Sequence, residues 1–274
     1  MSHDSDQKKF QAEFSAKEYL ENYYAKADLM MVHKYVVERT AATETMRIMM
    51  WLDNVCSPLI RAFFGKEKAT ILELGGGPTL YQLMNIADEV KEIYFTDYVE
   101  DNLNEIRAWK NNESSAFNWR NFFKAALMIK NDTIHISDEE IESLEKQLRH
   151  KITKVERCDI FHKDLGVTEK SFDVINTHFV AESATSSKDQ WEMALKNIYH
   201  KLNDGGLLFM SALRGAKSSY KVLEKSFPAV ELYENDMEVG LKNAGFHIIR
   251  VSAIHTEDKS NNYEGFMFVV AQKK

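Results

Sequence analysis

Apolar positions along the chain follow two periods in turn. Short apolar runs at Ile71–Leu74, Glu92–Thr96, Lys151–Val155, Ser171–Asn176 and Leu207–Ala212 read as buried strands. Between them lie stretches with helical spacing: Leu80–Ala87, Asp101–Lys110, Asp138–His150, Trp191–Leu202 and Glu234–Ala244. Strands alternating with helices predict βαβ units and a parallel sheet. At the end, His247–His255 and Glu264–Ala271 are separated by the polar turn Asp258–Asn262, so these two strands are expected to pair antiparallel. Boundaries are marked by Ser137 with Glu140 as a capping box, by Asn203-Asp204-Gly205-Gly206 as a helix stop and turn, and by Gly245 as a helix cap.

The region before the first strand has a different texture. Met1–Lys9 is polar and is expected to fray. Phe10–Ala27 is rich in aromatics (Phe10, Phe14, Tyr19, Tyr23, Tyr24), and Tyr19 and Tyr23 share a helical face. Met30–Phe64 reads as two helices. The fold class is therefore α/β. The expectation is one domain over 1–274, with a Rossmann-like, seven-stranded, mostly parallel sheet in 65–274 and a helical N-terminal cap at 10–64. Phe117–His150 is longer than a simple α/β connection should be.

Composition narrows the function. Hydrophobic residues make up 44% of the 274, enough for a substantial core. A net charge of −7 with no Lys/Arg cluster argues against nucleic acid and against an anionic membrane surface. No run approaches the roughly 18 apolar residues of a membrane span. Cys56 and Cys158 give neither a disulfide framework nor metal spacing, and no H-E-x-x-H, paired C-x-x-C, G-x-S-x-G or P-loop is present. The expectation is a cytoplasmic protein, monomer or homodimer, with a small-molecule substrate and no metal.

The candidate chemistry centres on Ala69–Tyr81, ATILELGGGPTLY. A strand runs into Gly75-Gly76-Gly77 and then toward a helix, the order that builds a nucleotide site at the carboxyl end of a first strand. Asp97 ends the next strand about 20 residues on, the spacing at which an acid reaches ribose hydroxyls. Pro78 stands where a dinucleotide fingerprint would continue, and Glu73 adds a second carboxylate. That charge suits a cationic ligand better than a pyrophosphate.

These residues carry a resemblance. ELGGGPTLYQL, FTDYVEDNL, RCDI, LNDGGLLF, the N-terminal EYLENYY and the later AFNW resemble class I S-adenosylmethionine (SAM) methyltransferases, most of all the nicotinamide, phenylethanolamine and indolethylamine N-methyltransferase family. The resemblance implies SAM as cofactor, held by Tyr19, Tyr24, Glu73, Gly75, Gly76, Gly77, Thr79, Tyr81, Asp97, Tyr98, Asn102, Asp159, Ile160 and Thr177. Asn102 would meet the adenosine side, Asp159 the adenine amino group and Ile160 the adenine face. Tyr19 and Tyr24 would belong to a lid over the cofactor. For catalysis it implies Tyr19, Glu182 and Ser211, and for the acceptor Tyr23, His178, Glu182, Ser211 and Tyr220.

Ser211 is also a departure: the nicotinamide enzyme has an acid there, so nicotinamide itself is not expected. His178 reads equally as a base or as a packed neutral ring, and Arg214 and Lys217 as surface charges or as carboxylate or phosphate ligands. The reading is SAM-dependent methyl transfer to a small molecule, most readily on nitrogen. Two alternatives stay open: intramolecular cyclisation of SAM releasing methylthioadenosine, and a SAM-binding module without turnover. Pro78 disfavours a dehydrogenase.

Overall fold

A computed structural model describes residues 9–25, 29–38, 43–168, 171–222, 224–256 and 262–274. The start expected to fray and most of the turn Asp258–Asn262 lie outside the described residues. Residues 9–13 form a short helix, α1. It is followed by α2 (Ala16–Tyr23), α3 (Leu29–Glu38), α4 (Glu44–Trp51) and α5 (Ser57–Phe64). Next come β1 (Ala69–Leu74), α6 (Tyr81–Met84), β2 (Val90–Asp97), α7 (Glu100–Lys110), α8 (Arg120–Asn131), α9 (Asp138–Lys151), β3 (Ile152–Arg157) and β4 (Phe172–His178). The chain ends with α10 (Lys188–Lys201), β5 (Leu202–Arg214), β6 (Ser219–Val222), β7 (Lys225–Pro228), α11 (Glu234–Ala244), β8 (His247–His255) and β9 (Gly265–Gln272).

Seven strands form one sheet in the order β3-β2-β1-β4-β5-β9-β8. β1 to β5 pair parallel, and β9 runs antiparallel between β5 and β8, as the sequence pattern predicts. The order turns at β1, with β2 and β3 on one side and β4 and β5 on the other. Ligands bind outside the carboxyl ends of the strands at such a switch point.

Both faces of the sheet are covered, which is why β1 and β4 read as continuous apolar runs. Ile71, Ile93, Phe95, Val174 and Phe209 face one core with Met49, Leu103, Phe123 and Leu148. Leu72, Leu74, Ile175 and Leu208 face the other with Trp191, Leu195 and Leu241. The switch from Ile71 to Leu72 is the strand period of two.

The structure departs from the sequence reading in five places. The long connection after Phe117 holds two helices, α8 and α9, not one; α8 buries Phe123, Ala126 and Met128. α4 and α5 are joined through a π-helical turn, Leu52–Cys56. α6 is only four residues long, because the Thr79 and Gln82 side chains donate to the Gly76 carbonyl at 2.8 and 2.9 Å and hold the preceding turn. Asn203–Gly206 loops out within β5, where Phe172 pairs with Leu202 and Val174 with Leu207. A separate hairpin, β6–β7, follows β5 and was not expected.

Gly240 on α11 lets that helix lie against α10: an added Cβ would sit 2.3 Å from the Trp191 ring. Alanine gains about 1 kcal/mol of helix propensity, but overpacking a filled core costs about 1–3 kcal/mol. Gly240→Ala is therefore expected to destabilise by up to about 2 kcal/mol in chemical denaturation. A raised midpoint would show that Trp191 yields without cost.

Candidate functional site

The pocket opens at the carboxyl ends of β1, β2 and β4. Its floor is the turn after β1. Gly75 and Gly77 take φ of +68° and +62°, and a Cβ on Gly75 would meet Val180 at 2.6 Å. Only glycine gives the chain both that backbone and that closeness. The Gly77 N–H donates to Asp97 Oδ2 at 2.8 Å. Asp97 Oδ1 takes the Val99 N–H at 2.8 Å and Asn102 Nδ2 at 2.9 Å. One carboxylate thus fixes the turn, the end of β2 and the start of α7. Burial raises the Asp97 pKa, and these N–H donors oppose the rise.

A chain of buried polar groups lies beneath the turn. Asn176 Nδ2 donates to Glu73 Oε2 at 2.7 Å and points at the Gln82 carbonyl at 3.5 Å. Its Oδ1 lies 3.2 Å from His178 Nε2. A carbonyl oxygen only accepts, so Nε2 carries the imidazole proton. His178 Nδ1 then accepts from Ser211 Oγ at 2.8 Å. Burial lowers the His178 pKa to about 3, so the ring is neutral. Burial raises Glu73 to about 8, against the hydrogen bond from Asn176.

Aromatic side chains make the roof. Tyr24 stacks on Tyr81 with centroids 5.8 Å apart, and the Tyr19 and Tyr24 hydroxyls are 3.4 Å apart. Burial raises the pKa of Tyr19, Tyr24, Tyr81 and Tyr220, which keeps these phenols protonated. The roof is anchored at both ends. Asp101 Oδ2 accepts the Ala16 N–H at 2.9 Å. Phe10 stacks on Phe227 of the β6–β7 hairpin at 4.6 Å, and Lys225 Nζ donates to the Glu13 carbonyl at 2.6 Å.

The structure brings Tyr19, Tyr24, Glu73, Gly75, Gly76, Gly77, Thr79, Tyr81, Asp97, Tyr98, Asn102, Ile160, His178 and Tyr220 together around this one pocket. It places six other candidates elsewhere. Tyr23 is half exposed on the outer face of α2 and touches Tyr19, not the pocket. Ser211 is fully buried behind His178. Glu182 is also fully buried; its Oε1 takes the Leu213 N–H at 2.8 Å, where β4 no longer pairs with β5. Burial raises its pKa to about 7. Ser211 and Glu182 are thus corrected from acceptor contacts to groups within the wall. Asp159 caps the Phe161 N–H at 2.9 Å beside the pocket, and Thr177 is buried in β4. Arg214 is held by Glu234 and Glu264, which removes it as an anion ligand.

Sequence reasoning missed Phe179, Val180, Phe161 and Ala184, which also line the pocket. Phe179 has φ of +57°, a strained value for a bulky residue. No sequence signal marks it. Phe161 could have been found as the residue after the Cys158-Asp159-Ile160 strand end.

The sequence profile of the NNMT/PNMT/TEMT family matches residues 3–274. Indolethylamine N-methyltransferase of Mus musculus is 26% identical over 269 residues, covering 96% of this chain and 94% of that protein. Nicotinamide N-methyltransferase of Homo sapiens is 27% identical over 267 residues, covering 95% and 93%. Among solved structures, magnesium protoporphyrin IX methyltransferase from Synechocystis PCC 6803 with bound SAH superposes with a TM-score of 0.54 at 10% identity, covering all of both chains. A SAM-dependent methyltransferase from Clostridium acetobutylicum gives 0.51 at 11% identity, covering 89% and 97%. At such identities these two structures establish the shared fold.

Two buried carboxyls carry a pH signature. Their folded values, about 8 for Glu73 and about 7 for Glu182, lie above the ordinary 4.5. The stability gained from keeping them protonated is complete below that ordinary value and is lost as pH rises through 7 and 8. The melting temperature is expected to fall by a few degrees between about pH 5 and pH 8.5, and a Glu73→Gln, Glu182→Gln double variant to flatten that slope. Scanning fluorimetry checks this; equal slopes in the two proteins would mean that neither carboxyl is raised.

Proposed function

The chain belongs to the NNMT/PNMT/TEMT family, and from that premise we propose that it moves a methyl group from SAM to a nitrogen of a small molecule. The observation that carries this reading is the fit of the pocket to SAM. Glu73 Oε1 and Asn102 Oδ1 are buried without a hydrogen-bond partner, on residues that line the pocket beside Asp97. Such groups are costly unless a ligand completes them. Among the described lining residues the carboxylates are Glu73 and Asp97, and there is no lysine or arginine. That balance suits a cation with an ammonium and ribose hydroxyls, and opposes the pyrophosphate of a dinucleotide.

Asp97 and Asn102 would hold the ribose, and Glu73 the ammonium. Tyr98, Ile160 and Phe161 would enclose the adenine, with Asp159 at its rim. The Gly75–Gly77 turn, Thr79, Tyr81, Tyr24 and Tyr19 would surround the methionine end, with Thr177 behind them. Bound there, SAM supplies an activated methyl carbon on a positively charged sulfur. The protein's own contribution is positioning, which is worth on the order of 7–11 kcal/mol when two reactants are held in line. The aromatic roof excludes water from that encounter.

Mass spectrometry of the protein with SAM, alone and with a pooled panel of amines and nitrogen heterocycles, tests the reading. S-adenosylhomocysteine should appear only with the panel, together with an acceptor heavier by one methyl group. Methylthioadenosine from SAM alone would overturn it in favour of internal cyclisation. Asp97→Ala is expected to weaken SAM at least about 100-fold in calorimetry, the scale of a lost charged hydrogen-bond set. Unchanged affinity would remove the ribose assignment.

A further inference from the structure

Glu73 is the penultimate residue of β1 and is fully buried. Strand register sets Asn176 of β4 directly beside it, and paired residues of parallel strands share a face. The Asn176 amide is held from both sides. Its Nδ2 donates to Glu73 Oε2 at 2.7 Å, and its Oδ1 receives the His178 Nε2–H at 3.2 Å. Asn176 therefore occupies one oxygen of Glu73, while the other, Oε1, is buried beside the pocket with no partner. The charge that acts on Glu73 is that of Asp97, an acid like itself. Both Asp97 oxygens are met by N–H donors from Gly77, Val99 and Asn102, which favour the ionised form there. His178 on β4 is a neutral ring. The phenols of Tyr24 at the end of α2 and Tyr81 on α6, and the thiol of Cys158 after β3, keep their protons. Among the described lining residues no lysine or arginine balances Glu73.

We propose that Glu73 exchanges its own proton for the ammonium of SAM, and that Asn176 is the positioning residue that keeps Oε1 turned to that ammonium. The inference rests on the SAM-dependent reading above and adds a protonation step to it. A buried carboxylate with one hydrogen bond and a second carboxylate nearby is costly, so the free protein holds Glu73 as the neutral acid. The arriving ammonium brings the missing opposite charge and a donor for Oε1. The Glu73 O–H bond breaks, its proton passes to solvent, and the ammonium keeps all three of its own. Binding thus releases a proton. Affinity rises with pH while the free protein holds Glu73 protonated, and levels off once Glu73 is ionised.

S-adenosylhomocysteine carries the same ammonium and ribose without the sulfonium, and its deaminated analogue has hydrogen in place of the α-amine. Calorimetry of the full chain with each ligand at pH 7, in phosphate and in Tris, reads the protons released from the difference in heat. About 0.9 of a proton is expected per S-adenosylhomocysteine, the protonated share of a group that titrates at about 8. Its affinity should rise about ninefold from pH 6 to pH 7 and about fivefold from pH 7 to pH 8. The deaminated analogue should release no proton, nor should S-adenosylhomocysteine with Glu73→Gln. Buffer-independent heats, or equal release with both ligands, would overturn the proposal. So would release that survives Glu73→Gln, which would put the proton on Asp97 or Glu182. Absence of S-adenosylhomocysteine binding would instead remove the SAM reading itself, and the proposal with it.

Asn176→Leu removes the donor to Oε2 and moves the titration of Glu73 further up. At pH 7 the affinity for S-adenosylhomocysteine is expected to fall at least about tenfold, and that for the deaminated analogue less than about threefold. An equal loss for both ligands would show that Asn176 only supports the fold and would remove its positioning role. Should either variant fail to fold, the comparison of the two ligands on the wild-type chain decides the proton exchange.

Discussion

The Asp97 carboxylate is the constraint on which the rest of the site depends. Its two oxygens take N–H groups from the β1 turn, the end of β2 and the first turn of α7. Remove it, and Gly77 has no reason to face Asp97, nor Asn102 to turn inward. A carboxylate in that position is held by three N–H donors, yet burial still raises its pKa. Burial therefore works against the charged form while the N–H donors work for it. Such an arrangement is stable only where the surrounding sheet over-determines it. Here it does, because β1 and β2 are locked in register from Thr70 to Leu74 and packed on both faces.

What the sequence made legible was the part whose geometry is local. A strand, three glycines, a proline and an acid at the end of the next strand specify backbone and register within about one βαβ unit, and the structure assembles those residues in that way. The seven-stranded sheet and its antiparallel end were legible for the same reason, from period and turn length. The misses are non-local. Ser211 and Glu182 sit at the strand ends that face a pocket in such sheets, so spacing alone points them inward. Their side chains turn instead toward His178 Nδ1 and the Leu213 N–H, partners set by how β4 and β5 end. Phe179 lines the pocket through a left-handed backbone that no residue-type rule assigns to phenylalanine. The β6–β7 hairpin lies just past the strand where the family pattern breaks off, in a segment with neither helical nor strand periodicity.

The roof shows how a weak local signal becomes a strong tertiary one. The aromatics of residues 10–24 have little reason to form a stable helix alone, since short helices are marginal in water. They acquire one by packing: Phe10 and Phe14 on Phe227, and Tyr24 on Tyr81, Trp119 and Phe122. Those partners come from the hairpin, α6 and the start of α8, three elements far apart in sequence. The cap and the core are therefore parts of one cavity, and the hydroxyls of Tyr19 and Tyr220 are brought to it from opposite ends of the chain.

The two ends of the buried polar chain have opposite characters, and the difference bears on chemistry. At the Glu73 end an acid is kept close to its pKa at physiological pH, with one oxygen lacking a partner. A cation arriving there gains a carboxylate and relieves the burial cost that raised it. At the Ser211 end every donor and acceptor of His178 is matched, and the ring is far below its ordinary pKa. Asn176 joins the two ends through opposite sides of one amide, so the orientation that serves Glu73 is the one that fixes the His178 proton. A single buried side chain thus ties the hydrogen bonding of Glu73 at one end to the proton position of His178 at the other.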